Sequence, residues 1–236
     1  MKIGVFGDSF ASLKFEQNTT LTWVDFLSEK YDVTNFALPS SNLYYSANKF
    51  METVSSFDKI IFVATVPGRL HFPDWVTVGN RDKFIAGLEV AEWKFNNSTK
   101  HLTSIEIKAL KAAIDYYTYI DDVKFNNFIQ QLMIKKVIDS RPDAIVLPVS
   151  KSSYGEPDLM HSTSLLDIFN KENQAWGITA TDLLNNYVDL RNCHMTAENN
   201  VVLANKVEQW LDGQPVEIIL DEFVTPMNKE FYIRKL

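Results

Sequence analysis

Apolar residues in this chain fall into two patterns that take turns. Short runs rich in apolar residues occur at residues 3–6, 33–38, 60–64 and 144–147, each followed within three residues by Gly, Pro, Ser or Asp. Such runs predict strands buried on both faces, ending in tight turns. Between them lie stretches with apolar spacing of three and four. Residues 21–30 carry Val24 and Leu27 with Trp23 and Phe26, and Thr20 or Thr22 can cap the helix they predict. A second helix is expected up to Met51, and a third over 104–120. From Asp122 to Asp139, Phe125, Phe128, Ile129, Leu132, Met133 and Val137 follow one helical stripe, which predicts a helix with that face in the core. Leu165, Leu166, Ile168 and Phe169 predict a short helix, and residues 181–186 another. A last helix is capped at Thr196, buries Leu203, Val207, Trp210 and Leu211, and stops at Gly213. Residues 216–220 read as one more strand.

Strands alternating with helices imply right-handed crossovers and a parallel sheet of four or five strands. The expected fold is an α/β three-layer sandwich of the flavodoxin-like kind, spanning residues 1–213, with 214–236 as a C-terminal extension. In such a sheet every turn that follows a strand lands on one edge, where ligands collect. Ser9, Ser40, Ser41 and the turn from Thr65 to Arg69 therefore belong to a single edge. Residues 70–104 break the rhythm, and an insertion is expected at about 70–120. His71, Phe72, Trp75, Phe84, Trp93 and Phe95 stand there among polar residues without a period. A long irregular segment of this kind is usually functional. It reads either as a wall over the sheet edge or as loop aromatics packed on the core.

Composition narrows the classes. With 236 residues, 46% of them hydrophobic, the chain can bury a large core. A net charge of −7 argues against nucleic acid or an anionic membrane as partner. No apolar run approaches the ~20 residues of a membrane span, and no leader is expected before a strand that starts at residue 3. The single cysteine, Cys193, excludes an intrachain disulfide framework and fits a reducing compartment. A cytoplasmic protein is expected, or one exported without a leader, as on a virus particle. His71, His101 and His161 show no metal-ligand spacing with the carboxylates, so neither metal nor other cofactor is expected.

The candidate chemistry is held by two loops. Gly7-Asp8-Ser9-Phe10 follows the first strand directly, and Asn192-Cys193-His194-Met195-Thr196-Ala197-Glu198 precedes the last helix. A serine and a histidine brought to one edge suit nucleophilic catalysis. The alternatives are a serine that caps its own turn and a histidine that is structural. Cys193 beside His194 also permits a Cys–His pair, but neighbours in an extended loop point opposite ways.

The first tetrapeptide resembles the nucleophile block of the GDSL, or SGNH, hydrolases, and the second stretch resembles their closing histidine block. The resemblance runs the length of the chain in order. It implies an esterase acting on lipid, aryl or carbohydrate O-acyl esters, with Ser9 as nucleophile and His194 as its base. An aromatic insertion without a greasy lid leans towards a carbohydrate acetyl ester. A catalytically degenerate binding or structural protein on the same fold is the alternative. The chain departs from the family pattern in four ways. Arg191 occupies the place of the usual Asp, leaving Asp189 as third member, or else a Ser–His dyad oriented by a backbone carbonyl or by Asn192. Ser40 and Ser41 stand where the second block has Gly. No Asn follows Val63, so Thr65 or Arg69 is the nearest substitute for the side-chain oxyanion donor. The insertion has no counterpart in the minimal fold.

Overall fold

The computed structural model describes residues 1–12, 20–66, 68–71, 84–85, 91–92, 95–96, 102–150, 163–179, 182–183, 186–191, 193–225 and 228–235. Strands β1 (Lys2–Phe6), β2 (Asp32–Asn35), β3 (Lys59–Ala64) and β6 (Ile145–Pro148) form a parallel sheet in the order β2-β1-β3-β6. Each of the four runs contributes residues to one strand, although β2 begins at Asp32 and takes only residues 33–35 of the second run. β1 lies inside the sheet, pairing Gly4 with Thr34 on one side and with Ile60 on the other.

Period-2 alternation divides the strand residues between two cores. Ile3, Val5, Ile61, Val63, Ile145 and Leu147 face one layer. That layer contains α1 (Trp23–Ser28), α5 (Leu165–Ala175) and α6 (Ala197–Leu211), through Trp23, Leu27, Ile168, Leu203 and Val207. Phe6, Ile60, Phe62 and Val146 face α2 (Leu43–Thr53) and α4 (Val123–Ser140) across the sheet, meeting Phe50, Ile134 and Val137. The protein is a three-layer αβα sandwich. Two glycines let β1 sit this deep. A Cβ on Gly4 would come within 2.8 Å of the Phe57 ring, and one on Gly7 within 2.7 Å of Val63 Cβ.

The helix ends follow local chemistry. Thr22 caps α1 in a capping box with Asp25, Asn42 caps α2, and Thr103 caps α3 (Ser104–Tyr119) in a box with Glu106. Helix α4 corrects the sequence expectation. Of the expected stripe, Val137 is buried and Met133 packs on the core, but Phe125, Phe128 and Leu132 are exposed, and Gln130 and Ile134 are buried instead. The helix is apolar over more than one stripe, and the stripe that meets α2 and the sheet is the one that is buried.

The tail differs too. Residues 216–220 form no strand; in and after this segment backbone carbonyls accept from lysines, Glu217 from Lys206, and Leu220 and Phe223 from Lys171. The extra strand is β8 (Ile233–Lys235), which follows the short α7 (Lys229–Tyr232) and pairs antiparallel with β7 (Tyr187–Asp189). Of the predicted helix at 181–186, residues 182, 183 and 186 are helical and the rest lie outside the described residues. In the insertion, β4 (Leu70–His71) pairs antiparallel with β5 (Phe84–Ile85), and Phe95 packs on Ala91 and Leu110 of a small separate core. Phe72, Trp75 and Trp93, expected as wall aromatics, lie outside the described residues. Among the described residues no helix is long and apolar enough to cross a membrane.

Candidate active site

The turn after β1 is held from several sides. Asp8 is fully buried and its Oδ1 accepts the Phe10 N–H at 3.0 Å. The Ala11 N–H is taken by the Asp8 carbonyl, the Phe10 carbonyl by Trp23 Nε1 and the Ala11 carbonyl by Asn35 Nδ2. Ser9 is left partly exposed at the top of the turn. Its N–H has no partner among the described residues.

His194 reaches Ser9 from the other end of the chain. His194 Nε2 lies 2.8 Å from Ser9 Oγ, across 185 positions of sequence. The imidazole packs against Phe10 and Phe169, with ring centroids 4.8 and 5.9 Å away. Its loop is not extended, which corrects the expectation for Cys193. Both Cys193 (φ 51°) and His194 (φ 57°) are left-handed, a costly conformation for residues with a Cβ. Cys193 is buried, with Sγ 3.1 Å from the Ser12 carbonyl, and burial pushes its thiol pKa well up. It is a packing residue that ties the histidine loop to the serine turn.

Asp189 stands behind the ring, with Oδ2 3.8 Å from His194 Nδ1. That separation is too long for a hydrogen bond but leaves the two groups in direct electrostatic contact. Its carboxylate is gripped by Arg191, whose Nε and Nη2 each lie 2.9 Å from one Asp189 oxygen. Burial pushes the Asp189 pKa up, but the neighbouring His194 and Arg191 outweigh it and hold the carboxyl far below the usual range. Arg191 is itself buried, stacked over Phe169 and Trp176, and its Nη1 donates to Glu172 at 2.9 Å.

Glu172, fully buried in α5, is the hub beneath the loop. Besides Arg191 it accepts from Thr196 N, Thr196 Oγ1 and Asn199 Nδ2. Thr196 does occupy the N-cap of α6, but its hydroxyl bonds Glu172 and not its own helix. A carboxylate from another helix thus satisfies the start of α6, where negative charge is favoured.

The other predicted residues come from the segments that follow β2 and β3. Ser40 is exposed and left-handed (φ 63°), the conformation that favours glycine. Its N–H has no partner among the described residues. The Ser41 N–H is committed to the Leu38 carbonyl, and Ser41 Oγ donates to Gly7 O at 3.1 Å, which pins this turn against the end of β1. Thr65 is fully buried, with its hydroxyl donating to Asp8 Oδ2. Arg69 Nη1 lies 2.9 Å from Asp8 Oδ2 and 2.9 Å from the Ser41 carbonyl. Thr65 and Arg69 therefore support Asp8, and the backbone N–H groups of Ser9 and Ser40 are two donors with no partner among the described residues. Asn192 lies outside the described residues.

No protein-family model matches the chain, and no curated protein does. Sequence reasoning missed the roles of Asp8, Gln130 and Glu172. Glu172 left one trace: with Leu165 and Ile168 it falls on the core-facing stripe of its helix, where a charge needs a partner. Among the described residues, no group of three or more His, Cys, Asp or Glu is placed to hold a metal ion.

Proposed function

We propose that the chain is a serine hydrolase of the SGNH kind that cleaves an O-acyl ester. The observation carrying this reading is the 2.8 Å contact between Ser9 Oγ and His194 Nε2. His194 Nε2 takes the hydroxyl proton as Ser9 Oγ attacks the ester carbonyl carbon. The oxyanion of the tetrahedral adduct is received by the N–H groups of Ser9 and Ser40. The adduct collapses, the C–O bond to the alcohol breaks, and His194 returns the proton to the departing oxygen. Water, deprotonated by the same imidazole, then splits the acyl–Ser9 ester. Asp189 favours the imidazolium through its charge. An acetyl ester of a carbohydrate or another polyol is the substrate class this reading favours.

One observation favours a second reading, a binding protein on the same fold. Thr65 cannot donate to an oxyanion while its hydroxyl is held by Asp8, and a missing donor costs about 10²–10³ in rate.

The test is incubation with a fluorophosphonate probe followed by peptide mass analysis, alongside hydrolysis of p-nitrophenyl acetate. The hydrolase reading expects the label on Ser9, and turnover lost in Ser9→Ala and in His194→Ala. Absence of label, with wild-type turnover no higher than that of Ser9→Ala, establishes the binding protein instead.

A further inference from the structure

The outer face of α4 carries an apolar stripe that the fold leaves open. Phe125, Phe128 and Leu132 are 58%, 55% and 48% exposed, at the i, i+3, i+7 spacing of one helical face. Met51 of α2, 45% exposed, lies beside Leu132 and extends the patch. A fully exposed aromatic side chain offers ~200 Å², so the open parts of these four side chains come to about 400 Å². A continuous apolar patch of about 300–600 Å² is often functional.

The patch contains both a knob and a hole. The hole is a groove of about 230 Å³ between α2 and α4, lined by Ala47, Met51, Leu132 and Met133, with Lys136 as its charged residue. An apolar cavity of ~150 Å³ already takes a benzene ring, so this groove admits a phenylalanine side chain. The knob is Phe125. It stands seven residues before Leu132, about 10 Å away along the helix axis, and its ring cannot turn back that far. A second copy of α4 laid antiparallel solves this, because a two-fold axis between residues 128 and 129 sets each Phe125 over the other copy's groove. Phe128 then meets its own mate across the axis.

Charge agrees with that register. The stripe is bounded by Asp122 before Phe125 and by Lys136 after Leu132, both exposed. Asp122 Oδ1 accepts the N–H groups of Lys124 and Phe125, which holds the carboxylate at the start of the helix. Lys135 is paired with Asp139 on its own helix at 3.0 Å. The antiparallel register brings each Asp122 to the other copy's Lys136, whereas a parallel one sets like charges together. Opposed helix dipoles favour the same arrangement.

We propose that the chain forms a two-fold dimer through the outer face of α4, with the two copies of the helix antiparallel. Polar groups supply about two-fifths of an interface, so two such faces bury about 1,400 Å² in total, within the range of specific complexes but on its small side. The dimer is accordingly weak, with Kd of about 10–100 µM. It uses no group at Ser9, and it holds for a hydrolase and for a binding protein alike.

The test is sedimentation velocity of the full chain from about 1 to 300 µM, a range that brackets the expected Kd. The mass is expected to rise from that of one chain to that of two. Phe125→Ser and Phe128→Ser should each weaken the dimer about tenfold or more. Their melting temperatures at about 1 µM, where the chain is monomeric, should stay near that of wild type. Lys136→Glu should weaken the dimer without touching the apolar stripe, and Asp122→Asn should do so while keeping the helix cap. Orientation is read by a carbodiimide, which joins a carboxylate to an amine without a spacer. Asp122 and Lys136 of one helix stand about 21 Å apart, so a link between them joins two copies. That link is expected in the wild-type dimer and absent from Phe128→Ser. A chain that stays monomeric at 300 µM overturns the proposal. So does a dimer that survives both serine variants, or one that forms no Asp122–Lys136 link.

Discussion

Arg191 holds both oxygens of Asp189, and the carboxylate it holds lies 3.8 Å from the imidazole of His194. The third residue of the site is therefore a shared one. Its charge is divided between a permanent cation and a ring that, on the hydrolase reading, becomes cationic during turnover.

This division predicts unequal mutants. His194→Ala removes the base and is expected to lower kcat by about 10⁴-fold or more. Asp189→Asn removes a charge already engaged elsewhere, and a loss of about 10–100-fold is expected. Steady-state hydrolysis of p-nitrophenyl acetate decides it. Equal losses would show that Asp189 acts as a full third member despite the distance.

Acid stability carries the same signature. The folded pKa of Asp189 lies below its unfolded value of about 3.9. A group depressed in this way contributes stability that is fully present above the unfolded pKa and is lost as pH falls towards the folded one. Asp189→Asn lacks that contribution. The Tm advantage of wild type over the variant is expected to hold from pH 7 to about 5 and to shrink below about pH 4. A difference that stays constant down to pH 3 contradicts the account.

Arg191 itself is a stability determinant. Its guanidinium is wholly buried between Asp189 and Glu172. Arg191→Ala strands two carboxylates, and removing one partner from a buried ionic group costs about 3–5 kcal/mol. Arg191→Lys should recover only part, since an ammonium cannot match the planar fork or stack on Phe169 and Trp176 in the same way. Urea unfolding measures both. A loss under about 1 kcal/mol for the alanine variant would mean that the network relaxes or takes up water.

The docking of α4 can be read from a pair of substitutions. Phe128→Ser, on the exposed stripe, is expected to change stability by no more than about 0.5 kcal/mol. Ile134→Ala, on the buried stripe, should cost about 2–5 kcal/mol. The reverse order would restore the helix face that periodicity alone suggests.

That helix shows where sequence reading stops. Strands β1, β3 and β6 are legible because a strand covered on both faces reads as a near-continuous apolar run, whereas β2, Asp-Val-Thr-Asn at the sheet edge, alternates exposed and half-buried residues. Topology places Ser9, since parallel strands send their following turns to one edge, whereas His194 follows β7 outside that sheet and is legible only from its place before the last helix. The exposed and buried stripes of α4 both satisfy helical spacing, and only the partner surface chooses between them. Polar partners are harder still. Nothing periodic links Glu172 to Arg191 across 19 positions, or Gln130 to Thr65 across 65. Asp189 illustrates the same limit, because its role depends on which cation it faces, and that is decided by the left-handed bend at residues 193 and 194.

The position of α6 has a consequence for how the molecule comes into being. β6 completes the parallel sheet at residue 148, while one face of that sheet still awaits Leu203, Ala204 and Val207 of α6. The same helix is preceded by the loop that delivers His194. During synthesis the four sheet strands therefore leave the ribosome before His194 does. When α6 docks, closure of the core and arrival of His194 at Ser9 occur together. On the hydrolase reading, the appearance of Ser9 reactivity in a refolding experiment then marks the burial of the last hydrophobic face.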